Sequence, residues 1–176
     1  MSAPRLARHR PWDGAGCFAI DYLAGSVDDP RRDLVQRLKA ADAAAMAASA
    51  LLLAHALDKR RRPGPVSVVA VPGHVAAINW TTEALCARLA SILPGVRHRP
   101  GGLRRFRTIR RSATAVDRPT IAEHLDTLWV PIPVGGSVII VDDVFTHGRI
   151  AEACTRLLRD AGASEVIVTA VSRTRI

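Results

Sequence analysis

Two adjacent carboxylates close an apolar run in Val138-Ile-Ile-Val-Asp-Asp-Val-Phe-Thr-His-Gly-Arg-Ile150, and a short turn with a single glycine follows them. Adjacent carboxylates can accept hydrogen bonds from vicinal hydroxyls, and the N–H groups of a turn that opens a helix can hold a phosphate. A ribose 5-phosphate presents both groups. Asp142 and Asp143 are therefore read as sugar contacts, and as the catalytic pair if chemistry occurs there. Val144, Phe145, Thr146, His147, Gly148, Arg149 and Ile150 complete the ribose 5-phosphate segment. The plain alternative is that the aspartates cap a helix and the glycine turns the chain.

Such a site needs a strand that delivers the carboxylates and a helix that starts after the turn. Val138 to Val141 reads as that strand and Gly148 to Ala161 as that helix. Val66 to Val71 is a second apolar, β-branched run, stopped by Pro72-Gly73, as a buried parallel strand would be. Thr81 or Thr82 can cap a helix that reaches Leu93 before Pro94-Gly95, and Glu165 to Val171 is the last strand. Cys17 to Leu23 and Thr127 to Ile132 read as further strands, and residues 97–120 as a long mobile loop around one or two short strands. From Asp33 to Leu57 the spacing predicts one helix, capped by Asp33, with Lys59-Arg-Arg-Arg62 at the negative end of its dipole. Strands that alternate with helices imply the α/β class, a single-domain parallel sheet flanked by helices. Residues 1–176 are expected to form one domain, with 1–63 an N-terminal hood segment carrying the long helix and 64–176 the α/β core.

The chain of 176 residues is 48% hydrophobic and carries a formal net charge of +9, from 25 basic against 16 acidic residues. That charge suits a polyanion, either nucleic acid or a phosphate-rich small molecule, and does not choose between them. The run from Ala43 to Leu57 is interrupted by Ser49 and His55 and is too short and Ala-rich for a membrane span. No start-proximal segment resembles a signal peptide, so a cytoplasmic location without membrane attachment is expected. Cys17, Cys86 and Cys154 lack the paired spacing of a zinc site or a disulfide framework and read as reduced structural thiols.

The order Asp142, Asp143, Val144, Phe145, Thr146, Gly148, between a strand and an amphipathic helix, resembles the signature of type I phosphoribosyltransferases. Leu34-Val-Gln-Arg-Leu-Lys39, Val68-Val-Ala-Val-Pro72 and Leu103-Arg-Arg-Phe-Arg-Thr108 precede it in an order similar to competence protein ComF-type and amidophosphoribosyltransferase-like members, without a cysteine-rich zinc module. The resemblance implies that Val71, Pro72, Gly73 and His74 hold the pyrophosphate of phosphoribosyl pyrophosphate, which would arrive with Mg2+. It also implies that Arg104, Arg105, Arg107, Arg110 and Arg111 form a hood loop over it. Arginine's forked donors suit phosphate oxygens. His147 and Ile150 depart from the pattern, standing where the family commonly has Thr or Ser, so two hydroxyl donors are missing. The His147 ring is expected to donate to the phosphate in their place. The absence of an acid at Thr146 argues against the purine-salvage branch. The expected activity is transfer of the phosphoribosyl group to a nitrogen acceptor that no residue identifies. The alternatives are a non-catalytic sensor of phosphoribosyl pyrophosphate or a nucleotide, and a competence-type DNA-handling accessory protein. A second copy of the chain is a further expected partner.

Overall fold

A computed structural model describes residues 15–23, 30–58, 64–110 and 118–175. In chain order the elements are β1 (Ala15–Leu23), α1 (Pro30–Lys39), α2 (Ala43–Asp58), β2 (Val66–Ala70), α3 (Trp80–Ile92) and β3 (Val96–His98). They continue as β4 (Arg104–Arg105), α4 (Ile121–Leu125), β5 (Leu128–Trp129), β6 (Gly136–Phe145), α5 (Arg149–Asp160) and β7 (Ala163–Arg175). Five strands form a sheet in the order β1-β7-β6-β2-β3, and every neighbouring pair in it is parallel.

Alternation along the central strands sorts their side chains onto two faces. Val66, Val68 and Ala70 of β2 and Ile139 and Val141 of β6 meet Leu53 and Leu57 of α2 and Leu85 and Leu89 of α3. Val69, Val71, Val138 and Ile140 face the other way, against Ala151, Cys154 and Leu158 of α5. The sheet is thus covered by helices on both faces, which is why its central strands read as unbroken apolar runs. Each fully buried leucine contributes about 2 kcal/mol relative to exposure.

The single helix expected from Asp33 to Leu57 is two. It starts earlier, with Pro30 in its first turn, and Asp33 lies inside it without capping it. Ala41 takes a left-handed φ of 59°, the axes of the two halves differ by 117°, and the Asp42 carboxylate accepts from the Ala45 N–H at 2.7 Å to start α2. Helix propensity is blind to this bend, because nothing in an Ala-Ala-Asp-Ala stretch forbids a straight helix. The bend lets Leu38 of α1 and Leu53 and Leu57 of α2 enter one core. Residues 59–63, including the basic run, lie outside the described residues.

The described elements of the N-terminal segment expected to form a hood belong instead to the main sheet and its cover. Strand β1 extends the main sheet alongside β7, and α2 is one of the layers of the core. The small element beside the loop after β2 comes from the middle of the chain, where β4 pairs antiparallel with β5 and α4, between them in sequence, packs against α5. The strand expected from Thr127 to Ile132 is only Leu128–Trp129, and it belongs to this small sheet rather than the large one. The helix expected to be capped by Thr81 or Thr82 is capped by Asn79, whose side chain accepts from the Thr82 N–H.

Candidate functional site

Chain topology creates the site before any side chain does. From β2 the chain passes through α3 to β3 on one side; from β6 it passes through α5 to β7 on the other. Connections that diverge from adjacent strands open a crevice at their carboxyl ends, where ligands bind in open parallel sheets. Pairing of β2 with β6 stops at Ala70 opposite Val141, while β6 continues beside β7 as far as Phe145 opposite Arg173. Asp142 is thus the first residue of β6 to face that crevice edge without a β2 partner.

A cavity of about 360 Å3 occupies this crevice. Its walls include Val71, Pro72, Gly73 and His74, the loop expected to hold pyrophosphate, and every residue from Asp142 to Ile150, the segment expected to hold the sugar phosphate. Two blocks some 70 positions apart in sequence are brought together because their strands are hydrogen-bonded neighbours. After β6 the chain turns at Gly148, which takes a left-handed φ of 75° as the N-cap of α5 and provides no side-chain cap. Few residues other than glycine adopt that conformation at little cost, and the uncapped amides that follow are the orphan donors a phosphate can use.

The carboxylates are unequal. Asp142 accepts from the Asp143 N–H at 2.9 Å, and Asp143 accepts from the Val144 N–H at 2.7 Å. Burial, and then the charge of Asp143, push the Asp142 carboxyl well above its usual range. Asp143 meets the Lys39 ammonium at 3.5 Å, a contact that joins the end of α1 to the site.

Of the expected hood arginines, Arg105 and Arg110 line the cavity, Arg104 and Arg107 do not, and Arg111 lies outside the described residues. Arg105 is not a free cation poised over a ligand. It is 5% exposed, and its guanidinium donates to the Gly73 carbonyl at 2.6 Å, to the Thr127 hydroxyl, and to Nδ1 of His124 at 3.3 Å. His124 is accordingly held neutral, its pKa lowered to about 4 by burial first and by Arg105 second. Arg110 pairs with Glu123 at 3.0 Å. The Ile109 N–H donates to the His74 carbonyl at 2.9 Å and the Ala76 N–H to the Thr108 hydroxyl at 3.1 Å. The stretch expected to be a free lid is therefore tied, from Arg105 to Ile109, to the loop after β2. The His74 side chain is exposed.

His147 lines the cavity and its ring contacts the Arg118 guanidinium. Burial, then Arg118, then Arg149 lower its pKa, so the ring is a neutral acceptor here. Three groups in or beside the cavity were not singled out from sequence: Asn79, Arg118 and Lys39. Asn79 is legible as a cap because Asn-Trp-Thr-Thr opens an apolar helix. Lys39 and Arg118 carry no local signal, since their roles depend on contacts across more than 25 residues of sequence. Among the described residues no cluster of three or more His, Cys, Asp or Glu could hold a metal ion. Cys86 and Cys154 are buried free thiols; burial raises Cys154 to about 12, so neither is a nucleophile.

No protein-family profile and no curated protein matches the chain. One solved structure, of the allosteric regulatory enzyme of purine biosynthesis, aligns with 70% of this chain at 20% identity with a TM-score of 0.47. The chain spans 25% of the length of that structure.

Proposed function

We propose that the chain binds phosphoribosyl pyrophosphate in the crevice between β2 and β6 and transfers its phosphoribosyl group to a nitrogen acceptor. The observation that carries the reading is the single cavity that joins the 71–74 loop to the 142–150 segment. Asp142 and Asp143 accept from the ribose hydroxyls, the amides that open α5 receive the 5-phosphate, and the 71–74 loop receives the pyrophosphate. In the reaction a nitrogen lone pair forms a bond to the anomeric carbon. The bond from that carbon to the pyrophosphate oxygen breaks, pyrophosphate leaves with the electron pair, and the nitrogen releases its proton to solvent. The carboxylates favour the positive character that develops on the sugar.

The donor set fits Mg2+ carried by the substrate rather than a resident ion, because two adjacent carboxylates with substrate phosphates and water are a usual magnesium environment and a protein-only cage is not. Asp142 and Asp143 would hold such an ion, and when bound it would offset charge on the leaving pyrophosphate. Calorimetry with phosphoribosyl pyrophosphate and Mg2+ tests the reading. Asp142→Asn with Asp143→Asn should weaken binding by about 100-fold, because amides replace both carboxyl groups that accept from the ribose hydroxyls. Native affinity in the double variant sinks the sugar site. Pyrophosphate release across a panel of nucleobases and amines separates a transferase from a sensor.

A second reading, nucleic-acid binding, is favoured by one specific face. Arg104 and Trp129 are cross-strand partners in the small sheet, and Phe106 and Trp129 are 59% and 44% exposed. Arginine and aromatic side chains of this kind suit stacking on unpaired bases. If that reading holds, affinity for a single-stranded oligonucleotide falls steeply with salt and falls again in Trp129→Ala.

A further inference from the structure

The phosphate cradle lacks two hydroxyl donors, at His147 and Ile150, and a cation from outside the cradle stands over the gap. Arg118 lies 29 positions before His147, lines the same cavity, and its Nη1 contacts the His147 ring. No carboxylate among the described residues pairs with Arg118. Its neighbour in the contact is a neutral ring, and a second guanidinium, Arg149, is close by. Arg149 is already committed: its Nη1 donates to the Arg118 carbonyl at 3.1 Å and to the Pro119 carbonyl at 3.3 Å. One arginine therefore fixes the backbone that delivers the other to the uncapped N-terminus of α5. Two cations and a ring gathered with no paired carboxylate among the described residues are an arrangement that an incoming dianion would satisfy.

We propose that Arg118 is a specificity-determining residue of this site, a donor to the sugar 5-phosphate that replaces the absent loop hydroxyls, and that Arg149 is the residue that positions it. The inference rests on the ribose-phosphate reading of the cavity. It adds a contact from the segment leading into α4, so phosphate recognition is shared between β6–α5 and the small lobe instead of residing in one loop. On phosphate entry Arg118 exchanges its His147 partner for a phosphate oxygen, and the ring is released to donate as well.

The test uses calorimetry on the full chain with D-ribose 5-phosphate and, separately, inorganic pyrophosphate with Mg2+. Arg118→Gln should weaken ribose 5-phosphate binding at least tenfold and leave pyrophosphate binding unchanged, and Arg118→Lys should recover part of the loss. Arg149→Met should weaken ribose 5-phosphate binding as well, and the double variant should lose no more than the weaker single. Native affinity in Arg118→Gln overturns the proposal while leaving the ribose-phosphate reading intact. Equal loss for both ligands also overturns it, because it would mean that Arg118 only supports the lobe. Additive losses in the double variant overturn the positioning role of Arg149. If the native protein binds neither ribose 5-phosphate nor phosphoribosyl pyrophosphate, the ribose-phosphate reading itself falls and this inference with it.

Discussion

Burial, reinforced by Asp143, raises the Asp142 carboxyl well above its ordinary 3.8, so at pH values between the two the native chain keeps a proton that the unfolded chain releases. Stability attached to this group therefore falls as pH rises from about 3.9 towards the raised native value. Asp142→Asn removes that penalty and should raise the thermal midpoint at neutral pH. The same variant should bind phosphoribosyl pyrophosphate more weakly. A lowered midpoint in differential scanning calorimetry would show instead that the carboxylate supports the fold. His147 has the opposite sign. Burial and two arginines hold it below 6.5 in the free protein, and a bound dianion must raise it. Its help to binding is full below the lowered free pKa and fades as pH rises through the bound one. The ratio of native to His147→Gln affinity for ribose 5-phosphate should decline as pH increases. Taking the ratio cancels the protonation of the phosphate itself, and a level ratio would leave the ring no ionisation-linked contact.

At the scale of elements, the small lobe is joined to the loop after β2 through Arg105, a buried cation whose partners are a carbonyl, a hydroxyl and a neutral imidazole. Arg105→Met leaves those largely buried acceptors without their donor, at a cost of about 3 kcal/mol. Because Gly73 loses its anchor, binding of pyrophosphate with Mg2+ should weaken more than binding of ribose 5-phosphate. Equal effects would show that Arg105 acts on the lobe as a whole. His124 completes this joint and titrates with it. Its native pKa of about 4 lies below the unfolded value of 6.5, so the folded state resists a proton that the unfolded state accepts. Stability should be lost as pH falls from about 6.5 towards about 4, by about 3 kcal/mol from this group. In His124→Gln, denaturation in urea should lose that share of its acid dependence.

Across the whole molecule, the sheet makes one folding unit of segments that sequence reading divides into hood and core. Leu53 lies on one face of the sheet and Leu158 on the other, and both are fully buried. Leu53→Ala and Leu158→Ala should each cost about 3 kcal/mol and lower the same single transition. Residues 64–176 alone should show no cooperative unfolding, because removal of α2 strips Val68, Ile139 and Val141 of their cover. Independent melting of the two faces, or a cooperative transition in the 64–176 fragment, would restore the two-part division.

The fold class, the buried central strands and the turn from β6 into α5 were legible in the sequence because each is a local pattern: unbroken β-branched runs, a carboxylate pair at a strand's end, one glycine where the chain turns into a helix. The same local patterns placed β2, β6 and β7 to within a few residues. What they could not contain is pairing over distance. The bend at Ala41, the place of β1 at the sheet's edge and the membership of Thr127 to Ile132 are decided by which surfaces can share a core, and propensity has no access to that. Arginines are the sharpest case. Along the chain Arg104, Arg105, Arg107 and Arg110 look alike, yet the β4 pleat turns Arg105 into the interior and Arg104 out to solvent. Arg118, which no pattern marks, reaches the His147 ring because Arg149 at the start of α5 holds the backbone of the segment before α4.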